Sequence, residues 1–218
     1  MHSETSALGV KLNKKLIEEF KNSESKLLAV TKYWNLEETN ELISQFWEES
    51  EVLIGLWENR VTSLKEKELE REATHFIWNI QTKEIKYITQ YCGTIHSVDN
   101  IKQIRKIEDI CEKQDNWVKI FLQIKLDETK EGGIDIKDIP KFMEEIDKTE
   151  NISLIWFSAI WKADFSEEEK RAEFKLLKKL RAQYLQNWII SAWTSRDYKI
   201  AIEEEIEIIR VGKGLVEE

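Results

Sequence analysis

The sequence predicts an α/β protein, a single (β/α)8 TIM barrel with an extra N-terminal helix, over residues 1–218. Two observations carry this prediction. Eight short runs rich in Val, Ile and aromatic residues recur along the chain, and longer amphipathic segments rich in Glu and Lys fill the intervals. Such alternation is typical of βαβ units around a parallel sheet, and eight units close into a barrel. The scarcity of Gly and Pro suits an all-helical protein, but the regular β-rich runs argue against one.

The eight predicted strands are short and largely apolar, as strands buried on both faces are. In chain order they are Leu27–Val30, Val52–Gly55, His75–Trp78, Thr94–Val98, Val118–Ile124, Ile152–Ile160, Ile189–Ala192 and Ile206–Gly212.

Helical segments are predicted from apolar residues that recur with a period near 3.6. The extra N-terminal helix is expected near Val10–Lys21. A long helix is expected over residues 167–185, where Ser166 and Glu169 have the spacing of a capping box. Asp99, directly after the fourth strand, is predicted to be the N-cap of the next helix.

Charge and cysteine usage narrow the class of protein. The formal net charge of −9 argues against binding nucleic acid through general electrostatics. The start of the chain lacks a secretory signal, and no apolar stretch is long enough for a membrane span. Cys92 and Cys111 lack a CxxC spacing, so we predict buried thiols in a reducing cytoplasm.

Chemistry in such a barrel is expected where the strands end, on the C-terminal face. Lys32 follows the first strand and is expected there. A desolvated lysine in a barrel mouth can form an imine with an aldehyde, although a lysine in this position can equally be an ordinary solvated side chain.

Seven segments, taken in order, resemble the motifs of one family. They are LLAVTK (27–32), LWENRV (56–61), HFIWNIQ (75–81), IHSVD (95–99), FLQIKLDETKEGG (121–133), SAWTSRDYKIAIEE (191–204) and IIRVG (208–212). The family is that of the pyridoxal phosphate homeostasis proteins, the YggS/PROSC-like proteins. These share the barrel of the alanine racemase N-terminal domain, which is fold type III among pyridoxal phosphate proteins.

The resemblance implies roles for two charged residues. Lys32 would form a Schiff base with pyridoxal 5'-phosphate. Arg210, on the eighth strand, would face the pyridine nitrogen, where a cation leaves that nitrogen unprotonated and weakens the ring as an electron sink. Taken alone, Arg210 could equally belong to an internal ion pair.

The resemblance implies further cofactor contacts. Ser191 and Ser195, with backbone amides around Gly212, would hold the phosphate, as hydroxyls and N–H groups after late barrel strands do. Asn59 and His75 would line the cofactor ring. Without the resemblance, the two serines are expected to be turn residues and His75 a core histidine.

The function that follows is non-catalytic. The chain would hold pyridoxal phosphate, take part in intracellular homeostasis of this small molecule, and pass it transiently to apoenzymes, as a cytoplasmic monomer without catalytic residues or a metal. The first alternative is a racemase-like type III enzyme, which needs an acid/base group on each cofactor face. The second is a scaffold barrel without cofactor.

The tryptophans bear on these alternatives. Trp57, Trp78, Trp156 and Trp193 stand where the family has glycine. The 7 glycines and 9 tryptophans together make up about 7% of the 218 residues, which is an average glycine content. The tryptophans could be genuine and fill the pocket, be engineered, or be UGA codons that the organism reads as glycine. The Lys, Ile, Glu and Asn richness suits an AT-rich genome and favours the third interpretation.

Overall fold

The computed structural model describes residues 11–46, 51–126, 132–159, 166–184, 189–193 and 198–217. Within these residues, eight parallel strands form a closed barrel in sequential order, so the predicted (β/α)8 fold is confirmed. The strands are β1 (Lys26–Val30), β2 (Leu53–Glu58), β3 (Thr74–Phe76), β4 (Thr94–Val98), β5 (Val118–Ile124), β6 (Ile152–Ala159), β7 (Ile189–Trp193) and β8 (Ile208–Val211).

One helix precedes the first strand, and the others follow the strands on the outside of the barrel. Within the described ranges they are α1 (Lys14–Lys21), α2 (Leu36–Phe46), α3 (Val61–Lys67), α4 (Ile85–Tyr91), α5 (Ile101–Gln114), α6 (Ile139–Ile146), α7 (Glu167–Tyr184) and α8 (Tyr198–Glu203). The capping box before α7 is confirmed, since Ser166 N donates to Glu169 Oε2 at 2.7 Å and Glu169 N donates to Ser166 Oγ at 3.3 Å.

Helix α1 is the predicted N-terminal helix. It begins at Lys14 because Asn13 caps it, its side chain accepting from Leu16 N. Leu12 forms an antiparallel bridge with Val216, which brings the two described ends of the chain together. The apolar residues of α1 pack in one cluster with residues of β1 and β8.

Several predicted boundaries are wrong, for local reasons. Strand β3 ends at Phe76, two residues before the predicted end at Trp78. Strand β2 runs on to Glu58 because Trp57 and Glu58 are buried and remain in the sheet. Strand β8 begins only at Ile208, because Ile206 N still closes α8 by donating to Ala201 O. Asp99 is not the N-cap of α5. Asn100 is, accepting from Lys102 N, while Asp99 accepts from the amide of Gly133.

The apolar residues form an inner and an outer layer. Two large clusters lie between the strands and the helices. A smaller cluster fills the barrel interior and contains Leu28, Val30, Trp57, Ile77 and Ile208. Alternation along each strand sends one set of side chains inward, and this set includes His75 on β3 and Arg210 on β8.

The remaining general expectations concern the thiols and the membrane. Cys92 and Cys111 are both free and buried, as predicted, and burial raises the pKa of the Cys111 thiol to about 12. None of the helices in the described part of the chain has the length and apolar content that crossing a membrane requires.

Candidate functional site

Lys32 lies at the mouth of the barrel, two residues beyond the end of β1. Its side chain is half-buried. The ammonium nitrogen Nζ is 4.5 Å from the centroid of the Trp57 ring and 5.8 Å from that of Trp78. Cations are attracted to the faces of such rings, so the indoles contribute to holding Lys32 over the barrel opening.

Arg210 lies inside the barrel on β8 and is almost completely buried. Burial lowers the pKa of its guanidinium to about 9, so the side chain is still a cation at neutral pH. Its Cζ is 5.4 Å from the centroid of the same Trp57 ring that Lys32 contacts. The two cations for which the family resemblance implies roles therefore lie against one common aromatic side chain.

Among the side chains that the structure describes, Trp57 is the largest fully buried one, with 1% of its surface exposed. Its indole Nε1 donates to the carbonyl of Ile77 at 3.0 Å, which fixes the orientation of the ring. Aliphatic residues of β1, β8 and the end of β3 surround it. The sequence placed this residue just beyond the second strand, in the barrel mouth, whereas the structure places it within β2.

Two histidines form a buried pair in the barrel. His75 Nδ1 and His96 Nε2 are 2.7 Å apart, so one ring donates and the other accepts. His96 also stacks on Phe121, with ring centroids 3.6 Å apart. Burial, with Lys119 nearby, lowers the pKa of His75 to about 3, and burial also lowers the pKa of His96 well below its ordinary value. Both rings are therefore neutral at physiological pH.

Gly55 leaves the room that His75 needs. A Cβ at this position would lie 2.6 Å from the carbonyl oxygen of Ala73 and 2.7 Å from His75 Cδ2. Because one of these neighbours is backbone of the adjacent strand segment, it cannot rotate away.

Gly55→Ala is therefore expected to destabilise the protein by about 1–3 kcal/mol, as overpacking of a barrel interior does. Denaturant unfolding followed by circular dichroism measures the change. Adding His75→Ala should not restore stability, because the contact with the Ala73 carbonyl remains. Unfolding of Gly55→Ala at the parent's denaturant concentration would contradict the packing argument.

The remaining predicted contacts are dispersed. Ser191 on β7 is buried, and its Oγ has no hydrogen-bond partner within the described residues. Gly212 directly follows β8. Asn59, directly after β2, lines a cleft of about 650 Å³ together with Trp78. Ser195 lies outside the described residues.

The other tryptophans that stand where the family has glycine are not shown to be buried as Trp57 is. Trp78 leaves the sheet after β3 and is 54% exposed at the barrel mouth. Trp156 on β6 and Trp193 on β7 have side chains outside the described part, although the backbone of Trp193 pairs in register with Arg210.

A buried ion pair that the sequence did not predict lies beside Lys32. Lys67 Nζ on α3 is 2.6 Å from Glu58 Oε1, and both side chains are almost fully buried. Lys67 also donates to the carbonyl of Thr31 at 2.8 Å, and the hydroxyl of Thr31 donates to Glu58 Oε1 at 2.6 Å. Ser63 Oγ donates to the other carboxylate oxygen. This network fixes the residue directly before Lys32 by both its main chain and its side chain.

The only sequence signal for this network was the position of Glu58 next to Asn59 in a segment that resembles a family motif. Lys67 gave no signal, since it lies in a helix that also carries Lys65 and Glu66 and has the composition of a solvated face.

Comparisons with known proteins place these features in context. A family described as "Alanine racemase, N-terminal domain" matches residues 13–217. The chain is similar to the pyridoxal phosphate homeostasis protein of Aquifex aeolicus, with 27% identity over 69% of this chain and 67% of that protein. It is also similar to the protein of the same name from Deinococcus radiodurans, with 26% identity over 87% of this chain and 88% of the relative.

Among solved structures, the fold is similar to that of PipY from Synechococcus elongatus. The structure without PLP has a TM-score of 0.81 at 20% identity and covers 95% of this chain and 100% of PipY. The structure with PLP bound has a TM-score of 0.75 at 20% identity and covers 93% of this chain and 100% of PipY.

Proposed function

The chain belongs to the alanine racemase N-terminal domain family, and within it to the pyridoxal phosphate homeostasis proteins, and from this premise we propose that the gene product binds pyridoxal phosphate and serves in its homeostasis. The observation that carries the proposal is the arrangement of Lys32 and Arg210. The Lys32 ammonium and the Arg210 guanidinium both lie over the Trp57 ring, at the carboxyl end of the barrel. The name of the curated relatives and the PLP-bound form of PipY support the choice of ligand.

Lys32 is the proposed point of covalent attachment. Its neutral amine would condense with the cofactor aldehyde, forming a C=N bond and releasing one water molecule. Bound pyridoxal phosphate supplies an electron sink, and Arg210 would limit this sink by keeping a cation opposite the pyridine nitrogen. A cofactor held in this way is stored rather than used for turnover of amino acids.

The phosphate and the ring would be held by weaker contacts. The buried hydroxyl of Ser191 has no hydrogen-bond partner among the described residues, which suits an acceptor that arrives with a ligand. We propose that Ser195 and the amides around Gly212 complete the phosphate site. His75 and Asn59 would contact the ring or its surroundings.

The side chains fit pyridoxal phosphate in their chemistry but not in space while residue 57 is tryptophan. The indole is buried and touches both Lys32 and Arg210. A second planar ring that joined these two residues would have to share its volume. We therefore expect the site with tryptophan at this position to oppose binding of the cofactor.

The conflict between the family resemblance and the buried tryptophan disappears if the codon for residue 57 encodes glycine. The tryptophans at family glycine positions are proposed to be UGA codons that the organism reads as glycine. Sequencing the gene tests this directly, because UGG at these four codons would refute it. The mass of the native protein is an independent check, since each such position lowers the mass by the difference between a Trp and a Gly residue.

The proposed function is tested on a glycine-restored protein, in which residues 57, 78, 156 and 193 are all glycine. With pyridoxal phosphate this protein should show the visible absorbance of an imine, and borohydride should fix the cofactor on the chain. Absence of both signals from the folded protein would refute the function.

Lys32→Ala in the glycine-restored protein is expected to abolish the imine absorbance, because the attaching amine is gone. Lys26→Ala is the matched control. Lys26 lies at the opposite end of the same strand, where its Nζ donates to the carbonyl of Glu51. The control should keep the full signal, and an imine that survives Lys32→Ala would show attachment elsewhere.

The finer parts of the proposal concern the cell. We propose a cytoplasmic monomer that releases the cofactor transiently to PLP-dependent apoenzymes. The buried free thiols accord with a reducing compartment. The racemase-like alternative predicts exchange of the α-proton of L-alanine in deuterated water, and exchange that depends on Lys32 would favour the enzyme.

A further inference from the structure

We infer that the Trp57 indole closes the cofactor seat, the space against Lys32 and Arg210 that the cofactor ring would occupy, and that glycine at position 57 opens a preformed cavity for one planar heteroaromatic ring. This inference rests on the proposed function and names Trp57 as a residue that keeps the cofactor ring out. It also predicts a second ligand for the opened barrel, because a cavity left by an indole should take indole itself.

The Trp57 ring lies inside the barrel. It is 1% exposed and belongs to the cluster that fills the barrel interior. The neighbouring strands hold its residue at fixed register, Val30 beside it on β1 and His75 beside it on β3. The indole is therefore part of the interior packing and is not a lid over the opening.

An apolar wall and two cations surround this ring. The wall consists of Leu28, Val30, Ile77 and Ile208. Lys32 Nζ lies 4.5 Å and Arg210 Cζ 5.4 Å from the ring centroid. A wall of this kind, with an amine and a guanidinium, is suited to a flat, electron-rich or anionic ring.

The cavity would also offer a polar contact. The indole N–H donates to the carbonyl of Ile77 at 3.0 Å, and removing the side chain leaves that carbonyl facing the cavity. Free indole restores this hydrogen bond together with the lost apolar contacts. Apolar cavities made by truncating a buried side chain do bind small aromatic molecules.

Trp57 differs in this respect from Trp78. Trp78 is 54% exposed and its ring is farther from Lys32, at 5.8 Å, so it can move into solvent without breaking the barrel. The Trp57 ring, in contrast, is 1% exposed, and its own strand continues to Glu58 within the sheet.

The experiment compares two proteins that differ only at residue 57. One is the glycine-restored protein, and the other has glycine at 78, 156 and 193 but keeps Trp57. Pyridoxal phosphate is titrated into each, with imine absorbance and quenching of tryptophan fluorescence as readouts. The glycine-restored protein should bind at least about 100-fold more tightly, since overpacking of a filled interior opposes the second ring.

The outcomes separate this inference from the proposed function. If both proteins bind with the same affinity, the indole does not close the seat, and the inference is wrong while the function stands. If the folded glycine-restored protein does not bind, the function itself fails and the inference falls with it. If only the glycine-restored protein binds, both are supported.

Indole competition gives a readout of the cavity itself. Indole should raise the apparent dissociation constant of the glycine-restored protein for pyridoxal phosphate in proportion to its concentration. Trp117→Gly in the protein that keeps Trp57 is the matched control, because Trp117 is 49% exposed just before β5, at the other end of the barrel. That variant should bind no indole. Simultaneous binding of indole and pyridoxal phosphate to the glycine-restored protein would overturn the inference.

Discussion

Lys67→Met is expected to lower the free energy of unfolding by about 3–5 kcal/mol, the usual cost of removing one partner of a buried ion pair. Lys67 Nζ and Glu58 Oε1 are 2.6 Å apart, with 4% and 0% of the two side chains exposed. Methionine is similar to lysine in length and fills much of the same space. The loss therefore reports the stranded carboxylate of Glu58 and the carbonyl of Thr31, which loses its donor.

Lys65→Met on the same helix is the control. Lys65 is exposed, with its Nζ over the ring of Tyr87, and its loss should change stability by no more than about 0.5 kcal/mol. Both variants are measured by urea unfolding at neutral pH. The double variant Glu58→Gln/Lys67→Met should lose less than the sum of the single variants, because no charge is stranded. Equal midpoints for Lys67→Met and Lys65→Met would contradict a stabilising pair.

The hydrogen-bond network of Thr31, Glu58 and Lys67 also fixes the position of Lys32 at the barrel mouth. Thr31 donates its amide to the carbonyl of Trp57 and its hydroxyl to Glu58, and it accepts from Lys67. The ends of β1 and β2 and the helix after β2 are thereby joined at the residue before Lys32. Positioning of the proposed attachment residue thus depends on a polar core that the family motif only partly reveals.

Local patterns predicted much of the barrel. The bounds of β4 and β5 agree with the sequence because polar or charged residues flank apolar runs there. Strand β2 was misplaced because a Trp–Glu pair is typical of a strand end, whereas the structure buries both residues, Glu58 with a countercharge. Asp99 and Asn100 are equally good N-caps by type, so only the backbone path decides between them.

The sequence predicted individual residues of the candidate site but not the contacts between them. Lys32 and Arg210 follow from strand ends, alternation and the family resemblance. Their common contact with Trp57 depends on the register of three strands, which no local pattern gives. The pairing of His75 with His96 has the same origin, since two residues 21 apart meet only when β3 and β4 pair in this register.

Acid is expected to destabilise the protein well above the pH at which carboxylates titrate, because of this histidine pair. Burial lowers the pKa of His75 to about 3 and that of His96 well below its ordinary value, whereas the unfolded chain takes up these protons near pH 6.5. The unfolded state therefore binds more protons below pH 6.5, and stability falls as the pH is lowered through this window. Between pH 7 and pH 5 each histidine should remove about 2 kcal/mol.

Urea unfolding at pH 7, 6 and 5 measures this loss, and the range avoids the carboxylates. Asp109 and Glu145, whose ion pairs lower their pKa values to about 2, lose their contributions only at more acidic pH. His96→Gln keeps a neutral polar group in the barrel but removes one titrating ring. Whatever its stability at pH 7, this variant should lose only half as much as the parent between pH 7 and pH 5. If parent and variant lose the same amount, His96 is not held neutral in the folded barrel, and the acid sensitivity arises elsewhere.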